Sequence, residues 1–80
     1  METRVAVISI LIEDPASVQP MNDLLHQYSE YIIGRMGIPY REKGISIISI
    51  AMDAPQDKIS ALSGKIGRLS GVTAKAAYSR

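Results

Sequence analysis

The chain has 80 residues, with nine Lys and Arg against eight Asp and Glu, one His and no Cys. That length makes one domain, residues 1–80. The missing Cys excludes disulfides and thiolate metal sites, and a net charge of +1 excludes a nucleic-acid polycation.

A domain this small buries only roughly 60% of its unfolded surface. Disulfides, metals or oligomerisation commonly add burial at this size. With one His and scattered acids, a caged transition metal has few ligands, so no metal or other cofactor is expected. Oligomerisation remains. The N-terminal METRVAVISILIED is apolar over a stretch far shorter than the roughly 20 residues a membrane helix needs. It also lacks a small-residue cleavage site, so no signal peptide or membrane association is expected, and the expected compartment is the cytoplasm.

Residues 3–12, TRVAVISILI, read as the first strand. Ala6, Ile8, Ile10 and Ile12 share one face, and Val5, Val7 and Leu11 the other. Both faces are apolar, so this strand wants cover on both sides. Glu13-Asp14-Pro15 ends it. A helix is predicted from about Ser17, its N-cap, to Tyr28. Starting there keeps Pro20 in the first turn, where a missing N–H costs nothing. Val18, Met21, Leu24, Leu25 and Tyr28 make its apolar stripe.

A long β-hairpin follows, Tyr31–Ile38 and Ile45–Met52, around the basic turn Pro39–Gly44. Gly34 and Gly37 in its first strand point to a bulge, a bend or a close backbone approach. In its second strand Ile45, Ile47, Ser49 and Ala51 share one face, and Ser46, Ile48, Ile50 and Met52 the other. Asp53-Ala54-Pro55 starts a second helix whose core stripe is Ile59, Leu62, Ile66 and Leu69. Its Ser60, Ser63, Gly64 and Gly67 form a small-residue surface, and Gly71 is a natural C′ residue. Val72–Tyr78 is a last strand with Val72, Ala74, Ala76 and Tyr78 on one face.

The order β-α-β-β-α-β predicts an α+β, ferredoxin-like domain. Its four-stranded antiparallel sheet should run 4-1-3-2, with two helices on one face. The other face then presents Ile, Val and Leu to water, a pattern that marks an interface. A homo-oligomer, dimer or tetramer, through the sheet is therefore expected. The helices are expected to cover the larger set, Ala6, Ile8 and Ile10.

Candidate chemistry is sparse. His26 is the only imidazole, with Asp23 and Glu30 within a helical turn, and reads as a solvated helix residue rather than a general base. Arg35, Arg41 and Lys43 make either a basic lip around the hairpin or, with Glu42, a salt-bridged turn. Asp14 stands where a helix N-terminus would take an anion, but capping is the better reading. No catalytic residue is assigned.

The stretches EYIIGRMGIPYREKGISIISIAMDAP and ISALSGKIGRLSGVTAKAAYS carry a resemblance over essentially the whole chain. They resemble a small bacterial family described as regulators of the iron-only hydrogenase system. The resemblance implies an ACT-like domain, similar in fold to the C-terminal domain of the nickel-responsive repressor. This sequence has Gly37 and Pro39 where that repressor's hairpin histidines would stand, so its nickel site is not carried over. The repressor's DNA-binding segment is also missing, so direct DNA binding is not expected. What the resemblance implies is a non-catalytic module, sensing a ligand or binding a protein, in hydrogenase-linked transcription regulation or assembly. By likeness to ACT-like domains, a small-molecule effector would sit at Asp14 and Ser17, closed by Gly34, Arg35 and Gly37 of a neighbouring subunit. Two other readings are an amino-acid-binding ACT-type domain unrelated to hydrogenase and a small enzyme using His26.

Overall fold

The computed structural model of the chain describes residues 2–79. The period-two alternation of β1 (Arg4–Ile12) sorts its side chains cleanly. Ala6, Ile8, Ile10 and Ile12 are buried, while the residues between them are exposed. A 3-10 turn (Pro15–Ser17) leads into α1 (Val18–Gln27), and a second (Ser29–Tyr31) leads out of it. β2 (Ile32–Tyr40) and β3 (Ile45–Ala54) form the hairpin, α2 (Gln56–Gly67) follows, and β4 (Val72–Tyr78) closes the sheet.

All pairings are antiparallel, and the sheet order is β2-β3-β1-β4, the expected order read from the other edge. β1 and β3 are central because each must pair on both sides, and they carry the densest apolar runs. α2 lies over β4, with Ser60 Oγ 3.4 Å from Tyr78 Oη. α1 reaches toward β2, where the Arg35 guanidinium donates to Asn22 Oδ1 at 3.1 Å. Met21 and Leu25 from α1 and Ile59, Leu62 and Ile66 from α2 meet Ile8, Ile10, Ile50 and Met52 of the sheet. Each such side chain, fully removed from water, contributes about 1.5–3 kcal/mol. Where the helices meet, Lys65 Nζ donates to Tyr28 Oη at 3.0 Å and lies over its ring.

Three local expectations are corrected. Ser17 makes no side-chain cap. Asp14 caps instead, and what it caps is the separate 3-10 turn, so Pro20 still falls in the first turn of α1. Pro39 and Tyr40 belong to β2 rather than to the turn, which shrinks to Arg41–Gly44. β2 is an edge strand, so a Pro there costs no ladder bond if its nitrogen faces outward. Gly71 does not directly follow α2. It sits at φ 65° immediately before β4.

The molecule measures 42 × 19 × 17 Å, because the hairpin runs past the helices. Every residue of β2 after Ile33 is exposed. The register shifts between Ile32 and Gly34, so Ile33 occupies a bulge at the base of this arm.

Candidate functional site

The loop after β1 is occupied by its own bonds. Asp14 Oδ1 accepts the Ala16 N–H at 3.0 Å, and the Asp14 carbonyl accepts the Ser17 N–H at 3.0 Å. Ser17 is buried, and its hydroxyl donates to the Ser70 carbonyl. The Glu13 N–H donates to the Gly71 carbonyl at 2.7 Å. The loop before α1 is thus stitched to the loop before β4. Among the described residues no buried side-chain N or O lacks a partner. Ser17→Ala is expected to cost about 1 kcal/mol, since it removes a part-buried hydrogen bond between the two loops. Urea unfolding measures it, and a loss under a few tenths would show that water replaces the hydroxyl.

Gly34, Arg35 and Gly37 lie on β2, the strand at the far edge from β4. In one chain they are therefore not brought to Asp14 and Ser17. Neither glycine is needed for a close approach within the chain. A Cβ at Gly34 meets nothing within 4 Å, and one at Gly37 rests 3.7 Å from Ile48 Cγ1.

Arg35 pairs with Ile50 and so faces the helix side. There it borders a cleft of about 310 Å³ between α1 and β2, lined by Asn22, Leu25, His26, Ser29, Ile32 and Arg35. The fold thus joins two candidates that the sequence kept apart, His26 on a helix and Arg35 on a hairpin. Sequence reasoning missed Asn22 and Ser29. Their signal was the spacing 22, 26, which stacks two polar side chains on one face of α1, with Ser29 following in the 3-10 turn. Arg41 and Lys43 do not join them. They lie at the hairpin turn, roughly 20 Å along the strand from Arg35. Their turn is braced locally by Tyr40 Oη donating to Glu42 Oε2 at 3.2 Å.

Among the described residues no three His, Asp or Glu side chains gather as a metal site. Equilibrium dialysis against nickel is expected to give no stoichiometric binding at submicromolar metal. A stoichiometric site would require several His26 rings to meet at an oligomer axis.

The open face of the sheet is the other candidate surface. Val5, Val7 and Leu11 from β1, Ile47 from β3, and Met36, Ile38 and Tyr40 from β2 are all exposed large apolar residues. The register puts them on the side away from the helices. Leu11, Ile47 and Ile38 form one cross-strand row. Lys75, Ser9, Ser49 and Met36 form the next, and Ala77, Val7, Ala51 and Gly34 the one after. The apolar patch is densest toward the hairpin.

Four antiparallel strands in the order β2-β3-β1-β4, with both helices on one face, define a ferredoxin-like α+β domain. Within that class the chain belongs to the TM1266-like family, whose model matches residues 4–76 and is described as "Iron-only hydrogenase system regulator, putative". The structure is similar to that of the uncharacterized protein TM1266 from Thermotoga maritima, with TM-score 0.94 and 36% identity over 99% of this chain and 100% of that one. A formyltetrahydrofolate deformylase from Pseudomonas putida KT2440 is similar over 91% of this chain and 28% of its own. At 11% identity and TM-score 0.66, that likeness is one of fold alone. No match is found among curated protein sequences. No helix among the described residues is long and apolar enough to cross a membrane.

Proposed function

We propose that this chain is a non-catalytic regulatory module of the iron-only hydrogenase system, acting in the cytoplasm as a homo-oligomer that takes a small-molecule effector. The family description supports the system. The observation that carries the reading is the open sheet face. Nine residues of β1 and four strands span roughly 30 by 19 Å. With side-chain relief this approaches the roughly 800 Å² per partner of a standard interface.

A second copy is the occupant we assign to it. The edges of the sheet are poor sites for association. β2 carries Pro39 and the bulge at Ile33, and β4 is short and carries Lys75. On the central strands the face carries one charge, Asp53 opposite Val5 at the end away from the hairpin, and otherwise only Ser9 and Ser49 as polar residues. Half-exposed Val, Leu, Ile and Met side chains would each contribute about 1 kcal/mol on further burial. Association itself costs about 4–15 kcal/mol. The balance predicts a modest, concentration-dependent dimer or dimer of dimers.

The effector reading rests on Arg35, flanked by Gly34 and close to Gly37. Asp14 Oδ1 and Ser17 Oγ are already committed to the backbone, so in this reading they hold the frame. Against a catalytic role for His26, its polar neighbours in the cleft are Asn22, Ser29 and Arg35, and among the described residues no carboxylate lines the cleft to orient the ring. Sedimentation velocity at micromolar concentration should give more than one chain per particle. A monomer throughout the micromolar range would overturn self-association.

A further inference from the structure

We propose that the cleft between α1 and β2 binds a small oxyanion, a carboxylate or a phosphate group, with Arg35 as its anchor. This deepens the effector reading above and rests on it.

The polar groups that converge on the cleft are mainly donors. The Arg35 guanidinium has five N–H groups and gives one to Asn22 Oδ1. That bond orients the Asn22 amide so that its NH2 remains as a donor. His26 and Ser29 add a ring N–H and a hydroxyl to the same rim. Among the described residues no carboxylate lines the cleft. Asp23, the acid next in sequence to Asn22, borders the groove between the two helices instead and accepts from Gln19 at 2.9 Å. A guanidinium whose partner here is a neutral amide keeps its charge for a ligand, and its planar fork matches two oxygens of a carboxylate or phosphate. Leu25 and Ile32 supply an apolar wall, which suits a short aliphatic group behind the anion.

An exposed Arg–Asn bond on its own is only a staple between a helix and a strand. What adds a ligand is the convergence of His26 and Ser29 on the same roughly 310 Å³ cleft, a volume at the small end of the range for ligand sites. The site is on the helix side of β2. Met36 and Ile38, on the same strand, face the opposite side, so ligand binding and self-association are separately measurable.

The test is an amide-resolved NMR titration of the full chain, with inorganic phosphate and butyrate as separate probes and sodium chloride at matched ionic strength as the control. Saturable shifts at Asn22, His26, Ser29 and Arg35 with either probe support the site, and whichever probe saturates first identifies the preferred anion. Arg35→Gln should weaken that binding at least tenfold, and Asn22→Ala about threefold by releasing the guanidinium. Both residues lie outside the core, and an unchanged amide spectrum elsewhere confirms that each variant folds. Shifts that chloride reproduces, that map elsewhere, or that survive both substitutions unchanged would refute the proposal. Sedimentation of the same samples reports on self-association independently, so either idea can fail alone.

Discussion

Gly71→Ala should lose about 3 kcal/mol of stability, near the limit that a domain of this size tolerates. Two effects add. Gly71 has φ 65°, a left-handed conformation that costs an ordinary residue about 1–2 kcal/mol. A Cβ there would also stand 2.7 Å from Asp14 Cβ and 2.9 Å from Asp14 N. Backbone cannot swing aside as a flexible side-chain end can, so the two loops must separate, and overpacking of this kind costs about 1–3 kcal/mol more. The movement would also stretch the bond from Glu13 N–H to the Gly71 carbonyl. Gly44→Ala separates the terms. It has the same φ of 65° but open space around a Cβ, so only the conformational cost of about 1–2 kcal/mol remains. Total stability should be roughly 4–12 kcal/mol at the usual value per residue. Urea midpoints of the three proteins at one concentration decide the matter. Equal losses at both glycines would mean that Asp14 gives way and the contact carries no energy.

Leu11→Lys should dissociate the oligomer, weakening self-association by at least a hundredfold, equivalent to about 2.7 kcal/mol. Leu11 sits on a central strand in the row with Ile47 and Ile38, and is 44% exposed in the single chain. A lysine there is harmless to a monomer, since its ammonium reaches water. In a face-to-face dimer the charge must either be desolvated or prise the faces apart. Val7→Lys, one row beyond Ser9, should act in the same direction. Because binding between copies stabilises the folded state by mass action, the melting temperature should fall with the oligomer, more at high protein concentration than at low. Light scattering and thermal unfolding across a dilution series measure both. If Leu11→Lys lowers the melting temperature equally at all concentrations, the loss lies within the monomer and the face is not the interface.

The two substitutions probe different kinds of legibility. Leu11 was readable. Alternation in β1 puts Leu11 opposite Ala6, Ile8, Ile10 and Ile12, and a fold with two helices can cover only one of those faces. Strand order followed from the same pattern, because each strand-helix-strand half must return across the sheet beside its partner. Periodicity is a local property of the chain, and the larger apolar set is the one that helices cover. Gly71 was legible in part, as a glycine ending the second helical segment. The other part of its requirement comes from Asp14, more than fifty residues away, which nothing local announced, just as Ser17 answers to Ser70.

The same division runs through the candidate cleft. The sequence determined that α1 would carry Asn22 and His26 on one face, with Ser29 just past its end, and that β2 would alternate Arg35 against Met36. It did not determine that those two surfaces would meet. That depended on the bulge at Ile33, which sets the register of β2 along its edge of the sheet. It also depended on the position of α1 over that edge, which places Asn22 within reach of Arg35. Pro39 shows the rule in reverse. Read along the chain it ends a strand, yet on an edge its missing N–H costs no ladder bond and the strand continues. Short-range patterns follow from the covalent spacing of side chains, whereas contacts between distant residues arise only when whole elements pack, and packing responds to every side chain at once.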